Sequence, residues 1–151
     1  MEQNIQKVEI KRLSIEDYSE LKSVMINAYQ TMPHAYWKEQ QIETLINLFP
    51  EGQVVIKVND QIAGCALSII LDYKLYEEEH TYRAITGNYT FNTHDDEGDI
   101  LYGIDVFVKP EFRGLRLGRR LYEYRKQLCE RLNLKGIMFG GRIPNYHKYA
   151  S

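Results

Sequence analysis

Arg113, Arg116, Arg119 and Arg120 fall within eight residues, directly behind the apolar run 101–108 and Pro110. Gly114 and Gly118 stand among them, and a helix-forming stretch, RRLYEYRKQLCERL, follows at once. Arginines at a helix start oppose the macrodipole, because that end already carries partial positive charge. The first amides of a helix also lack internal acceptors. A strand, a glycine-bearing turn and a helix N-terminus together make a phosphate cradle, and glycine lets backbone pass close to a bulky group. The four arginines repel one another without an anion and are stabilised by a pyrophosphate. This stretch is therefore expected to bind one. The competing reading, a solvated helix face with clustered charge, is outweighed by the preceding strand and the two glycines.

Bulk composition makes any anion site local. The chain has 151 residues, 44% of them hydrophobic and 26% charged, with net charge −2. That length suits one domain, 1–151, with one core. A slightly negative chain has no global field for nucleic acid or membrane. Glu111, Glu123 and Glu130 also interrupt the arginine-rich helix, which leaves a nucleic-acid interface as the weakest reading. Cys65 and Cys129 are too few for a disulfide scaffold and read as reduced core residues. The N-terminus has no apolar signal core, and no window approaches the roughly 20 apolar residues of a membrane span. A soluble, cytoplasmic chain is expected.

The elements that must position the arginines follow from periodicity. Val8, Ile10 and Leu13 suggest a first strand, and Ser14 with Asp17 reads as a capping-box-like helix start. Ile15, Tyr18, Leu21, Met25 and Ala28 then recur at helical spacing. A second helix is predicted from about Ala35 to Leu48, with Ile42, Leu45 and Leu48 on one side. QVVIKV and IAGCALSIIL form an antiparallel hairpin about the turn signal Asn59-Asp60. From Asp72 to Asp99 the chain is polar, aromatic and acidic, and reads as a long functional loop with one short strand at YTF. ILYGIDVFV is the strongest strand, with Ile104, Val106 and Val108 expected on one face. Leu117, Leu121, Tyr124, Leu128 and Leu132 predict the next helix, and a last strand runs from Lys135 to Ile143. The order is β-α-α-β-β-loop-β-α-β, an α/β (α+β) chain with a mixed sheet.

At these residues the chain resembles the GCN5-related N-acetyltransferases. That family's signature, Arg or Gln, two residues, Gly, one residue, Gly or Ala, wraps the pyrophosphate of acetyl-coenzyme A. Here Arg113 stands at its first position and Gly118 at its last, with Arg116 in place of the middle glycine and Gly114 nearby. The pattern Val106-x-Val108-x-Pro110-x-x-Arg113-Gly114 and the order of elements are also similar to the family. GNYTF, LYGIDVFV, RGLRLGRRLY and GGRIPNYHKYA resemble acetyltransferase-like domains found ahead of a carbon–nitrogen hydrolase domain. The family continues with a further helix and two more strands where this sequence stops. A truncated domain is expected on that basis, with either an exposed sheet edge that invites a homodimer or strand pairing, or a compromised acceptor pocket.

The resemblance implies acetyl-CoA as cosubstrate and direct acetyl transfer to an amine. It implies cofactor contacts from Val106, Phe107 and Val108 on the central strand, from Arg113, Gly114, Leu115, Arg116, Leu117, Gly118 and Arg119 in the turn and helix start, and from Asn145 after the last strand. An amine attacks only when neutral, so a base must take its proton, and an acid serves the leaving thiolate. In some members a glutamate stands where Tyr102 stands here. Asp105 is then the nearest strand carboxylate, readable equally as a structural hydrogen-bonding partner, and Glu97 and Asp99 are weaker candidates. Strand alternation places Tyr102 and Asp105 on opposite faces. Tyr149, with Tyr146 as its neighbour, is the acid the resemblance implies, against a plain reading as a surface aromatic near the chain end.

His94 with Asp95, Asp96, Glu97 and Asp99 lacks the fixed ligand spacing of a zinc or calcium site. It reads as a solvated loop, and no metal is expected. His34, Tyr36 and Trp37 are acceptor-site candidates, each read more simply as packing. Two functions remain: an N-acetyltransferase acting on a small molecule or protein amine, and a catalytically weak CoA-binding module that regulates a larger hydrolase protein.

Overall fold

The computed structural model describes residues 7–28, 36–76, 82–87, 89–112 and 114–139. Arg113, Asn145, Tyr146, Tyr149 and His34 lie outside the described residues, as do 140–143 of the predicted last strand.

Five strands form one sheet in the order β1-β2-β3-β4-β5: β1 Val8–Arg12, β2 Val54–Val58, β3 Gln61–Leu71, β4 Ile100–Val108 and β5 Gly136–Phe139. The first four pair antiparallel, and β5 joins β4 in parallel, from Ile100↔Gly136 to Gly103↔Phe139. That mixture requires a helical crossover between β4 and β5, supplied by helix α5, Leu117–Arg131. Helices α1, Tyr18–Ala28, and α2, Glu39–Leu48, connect β1 to β2. Apart from short helices within the predicted loop, the predicted order of elements is the observed one.

Two apolar layers explain why β3 reads as a near-continuous apolar run rather than an alternating one. On one face Leu21, Met25, Ile42 and Leu45 of α1 and α2 pack against Val55, Cys65, Leu67 and Ile69. On the other, Leu117 and Leu121 of α5 cover Val54, Ile56 and Ala66, and Leu128 meets Leu101 and Ile70.

Local chemistry sets the boundaries. Asp17 Oδ2 accepts the Ser14 amide at 3.1 Å and the Asp17 amide reaches the Ser14 carbonyl at 2.9 Å. The Ser14 hydroxyl turns to Glu16 instead, so the box is half made, and a 3₁₀ turn at Ile15–Asp17 leads into α1. Helix α2 begins at Glu39, later than its apolar pattern suggested, and Leu48 is 38% exposed rather than on the buried side. The β2–β3 turn places Asn59 at φ 51° and Asp60 at φ 70°, the left-handed pair of a type I′ hairpin.

The 72–99 region differs most from expectation. It holds short helices α3, Tyr73–Tyr76, and α4, Tyr82–Ile85, and turns where a strand was predicted at YTF. Tyr89 and Phe91 sit at φ 67° and 62°, which a strand does not permit. His94 is not solvated either. Its Nδ1 accepts the Ile70 amide at 3.0 Å, which places the ring proton on Nε2, facing Asp96 Oδ1 at 2.7 Å. The ring stacks on Phe49 at 5.2 Å. With the Asp95 amide on the Ile70 carbonyl at 2.8 Å, this loop does for β3 what a neighbouring strand would do.

Candidate active site

After β4, Pro110–Phe112 forms a single 3₁₀ turn, and the chain enters α5 through Gly114, Leu115 and Arg116. The first intrahelical bond joins the Arg120 amide to the Arg116 carbonyl at 3.2 Å. The amides of Leu117, Gly118 and Arg119 therefore have no acceptor inside the helix, and no side chain caps them. A Cβ added at Gly114 or Gly118 would meet nothing within 4 Å. Nothing inside the described protein requires glycine there, so the open space suits a group from outside. Arg116 occupies the helix N-cap at φ 56°, ψ 40°. This is left-handed backbone that glycine takes at no cost, at the position where the family signature carries its middle glycine. Arginine here combines a strained backbone with a positive charge carried at the helix start.

Arg116, Arg119 and Arg120 are exposed. They flank a cleft of about 640 Å³ floored by Val8 and Ile10 of β1 and walled by Tyr124. The Tyr124 hydroxyl donates to the Glu51 carbonyl at 2.8 Å and fixes that part of α5 to the turn before β2. The cleft opens beside β1, with β2 and β3 between it and β4.

The chemistry proposed for the central strand turns on a bulge. Leu67 pairs with Asp105, but Ser68 pairs with Gly103, so Ile104 is an extra residue in β4. A bulge turns one residue back onto the face of its neighbour. Tyr102, Ile104 and Phe107 consequently belong to the layer under α1 and α2, while Val106 and Val108 face α5. This overturns two expectations from strict alternation. Ile104 does not share a face with Val106 and Val108, and Asp105 does not oppose Tyr102. Asp105 lies on the α1–α2 side, 6% exposed, accepting the Trp37 indole N–H on Oδ2 at 2.9 Å.

Trp37 is itself 4% exposed and packed by aromatics, Phe91 at 5.6 Å and Tyr89 at 6.2 Å between ring centroids. Its carbonyl accepts the Tyr18 hydroxyl at 2.6 Å, and burial, then the charges of Tyr36 and Glu39, raise the Tyr18 pKa and keep that donor neutral. Lys38 and Lys22 place ammonium groups 4.0 and 5.0 Å from the neighbouring Tyr36 ring centre. Of the acceptor-site candidates, Trp37 thus meets the Asp105 carboxylate, and Tyr36 packs against the same apolar layer. Glu97 and Asp99 do not join them. Asp99 accepts the Tyr73 amide at 2.8 Å, which chiefly holds its carboxyl below the ordinary range.

Cys65 and Cys129 are both thiols. Burial, then the nearby Asp105, push the Cys65 thiol well above its ordinary pKa, so it is a packing residue rather than a nucleophile. Among the described residues no group of three His, Cys, Asp or Glu is placed to hold a metal ion. No helix among them is long and apolar enough to cross a membrane.

Sequence reasoning missed Arg125. It is 2% exposed, beneath the β4 bulge. The signal was present: Arg125 continues the Leu117–Leu121 stripe at a spacing of four and precedes Leu128 by three, which are core positions.

The sequence matches the acetyltransferase (GNAT) family over residues 22–149. The chain belongs to this family. Over 114 residues it is 43% identical to a probable hydrolase, YhcX, of Bacillus subtilis, covering 76% of this chain and 22% of that protein. An uncharacterized N-acetyltransferase of the same organism, YkwB, is 33% identical over 114 residues, covering 76% of this chain and 50% of that one. The chain thus spans half or less of the curated relatives it matches. Among solved structures, the loading GNATL domain of CurA from Lyngbya majuscula superposes with a TM-score of 0.73 at 21% identity, covering 95% of this chain and 69% of that one. A GNAT family acetyltransferase from Brucella melitensis in complex with acetyl-CoA gives 0.54 at 16% identity, covering 95% and 82%. These likenesses show that the GNAT fold is shared.

Proposed function

We propose that this GNAT domain is an acetyl-CoA-dependent N-acetyltransferase that moves the acetyl group directly onto a primary amine of a small molecule or protein. The start of α5 carries the reading: three amides without helical acceptors, open space at Gly114 and Gly118, and Arg116 in left-handed backbone with Arg119 beside it. Unbonded helix-start amides with arginines among the same residues suit a pyrophosphate. Family membership and the acetyl-CoA complex of the Brucella relative support the same donor.

In this reading Arg113, Gly114, Leu115, Arg116, Leu117, Gly118 and Arg119 wrap the pyrophosphate. The backbone of Val106, Phe107 and Val108 holds the pantetheine arm, and Asn145 contacts it. The amine nitrogen bonds to the thioester carbon as the carbon–sulfur bond breaks. Asp105, directly or through water, takes the proton the nitrogen loses, and Tyr149 protonates the departing thiolate.

Calorimetric titration with acetyl-CoA and CoA tests the cradle. Micromolar binding is expected, with a loss of at least tenfold in an Arg116→Ala, Arg119→Ala double variant, since a charge-assisted hydrogen bond contributes roughly 1.5–3 kcal/mol. No binding by the intact protein removes the proposal.

One observation favours a second reading, a CoA-binding module that regulates a larger protein. Asp105 is 6% exposed and already bonded to Trp37, as a structural carboxylate would be, and the relative YhcX is named a hydrolase of which this chain spans 22%. Acetyl-CoA binding without turnover over a panel of primary amines would select it.

A further inference from the structure

Asp105 and Arg125 are the buried charged side chains among the described residues, and they stand on opposite faces of the same bulge. Arg125 enters from α5. Its Nε donates to Ser68 Oγ at 3.1 Å, and its Nη2 bridges two strands, donating to the Leu67 carbonyl at 2.7 Å and the Asp105 carbonyl at 3.0 Å. Leu67 and Asp105 are the last paired residues before the register shifts. A regular ladder cannot serve carbonyls at such a break, and a buried carbonyl left without a donor is costly. One guanidinium serves both.

The space for it is provided by Gly103. A methyl group there would sit 2.6 Å from Arg125 Nη1 and 2.9 Å from Cζ. The glycine in mid-strand is a site of close approach: the guanidinium lies where a side chain at 103 would point. A second buried amide completes the support. Gln53 Oε1 accepts the Ser68 amide at 3.0 Å, and its Nε2 donates to the Ser68 carbonyl at 2.7 Å. Ser68 is therefore held on its backbone by Gln53 and on its hydroxyl by Arg125.

We propose that Arg125 is a positioning residue of this site: wedged under β4 against Gly103, it holds the bulge and thereby fixes Asp105 against the Trp37 indole on the opposite face. Its consequence for turnover rests on the acyl-transfer reading; its consequence for structure rests on the bulge alone. Arg125 acts through the backbone and through its charge, and it touches no substrate. With the guanidinium removed, the two carbonyls lose their common donor, and the extra residue at Ile104 can be expelled so that Asp105 returns to strict alternation. The same loss leaves the Asp105 carboxylate without its buried counter-charge.

The protein has a single tryptophan, so the indole ¹⁵N–¹H resonance of Trp37 reports the bond to Asp105 without assignment ambiguity. The experiment records this resonance from pH 4 to 9 in the full chain, in Arg125→Met, in Arg125→Lys and in Asp105→Asn, with backbone amide dispersion as the check on folding. The titratable groups around Asp105 are Cys65 on β3, Tyr102 on β4 and Tyr18 and Tyr89 around Trp37, with Asp17 acting on Cys65. The Asp105→Asn variant separates their contribution.

The expected result is a displaced indole resonance in Arg125→Met and a partial return in Arg125→Lys. The pH midpoint that Asp105→Asn abolishes should move upward in Arg125→Met, because losing a nearby cation makes the carboxylate easier to protonate. In turnover, kcat should fall tenfold or more in Arg125→Met, with acetyl-CoA affinity changed less than threefold, and the acid limb of kcat/KM should follow the indole midpoint. An unmoved indole resonance in a folded Arg125→Met protein overturns the proposal, as does an equal response of Arg125→Lys and Arg125→Met. If the intact protein binds acetyl-CoA but turns over no amine, the acyl-transfer reading fails instead, and the indole data still decide the role of Arg125.

Discussion

Helix α5 carries two kinds of arginine, and the contrast between them separates the two halves of the site. At its first turn Arg116, Arg119 and Arg120 are exposed around amides that the helix itself cannot satisfy. Two turns further on, Arg125 is buried and bonded to Ser68, Leu67 and Asp105. In the proposed cradle the first set would gain its partner only when an anion arrives. The second has its partners already, and its presence under the sheet is a requirement of the fold. Burial shows in its chemistry: desolvation, opposed chiefly by the charge of Asp105, brings its pKa down to about 10, still charged at any physiological pH. The proposed binding and positioning regions would then share one helix, the former open at the surface and the latter closed beneath the strand that would hold the thioester.

The sharpest way to break this contrast is to truncate one arginine from each region. Arg125→Ala is expected to cost about 3–5 kcal/mol, because it strips a counter-charge from buried Asp105. Arg120→Ala should stay within about 0.5 kcal/mol, as exposed substitutions do. Urea unfolding measures both, and similar values for the two would dissolve the distinction.

The glycines offer the next largest difference. Gly103→Ala forces Arg125 off its bonds and should destabilise by roughly 2–3 kcal/mol. Gly118→Ala meets open space within a helix and should stabilise by about 0.5–1 kcal/mol, with acetyl-CoA affinity retained, since the family signature accepts alanine at that position. A stability scan paired with calorimetry would show the two effects in opposite directions.

Arg116→Gly sharpens the account of the cradle itself. Removing the side chain from left-handed backbone should raise stability by about 1 kcal/mol, yet weaken acetyl-CoA binding several-fold through the lost charge. Greater stability with undiminished affinity would mean that the guanidinium does not reach the ligand.

The smallest effect is on the thiols. Cys65 faces the Asp105 region, and Cys129 lies one turn beyond Arg125; burial raises both pKa values. Neither should react with an alkylating reagent at pH 8 except at the rate of global unfolding. Fast modification of Cys65 would show that the positioning region opens to solvent.

Much of the fold was legible from periodicity and punctuation. The hairpin about Asn59-Asp60, the crossover helix from Leu117 and the glycine-bearing turn before it all rest on interactions local in sequence, where residue type dictates torsion. The regions that escaped were those in which distant segments bargain over the same backbone groups. YTF became turns because His94 and Asp95 take the place of a strand beside Ile70. Asp105 reached the face of Tyr102 because the register shifts at Leu67/Ser68, which no alternation rule applied to ILYGIDVFV can show.

The sequence alone determined that a glycine-bearing turn with clustered arginines should lie between a strand and a helix, and that is where the structure has Gly114, Arg116 and Gly118. Capping, helix dipole and glycine torsion act over a few residues, so their outcome is written in those residues. Tertiary structure decided where Asp105 faces and why Arg125 is buried. A bulge is a disagreement in length between two strands, stabilised by a side chain from a third element, and each segment read singly contains only its own part of it.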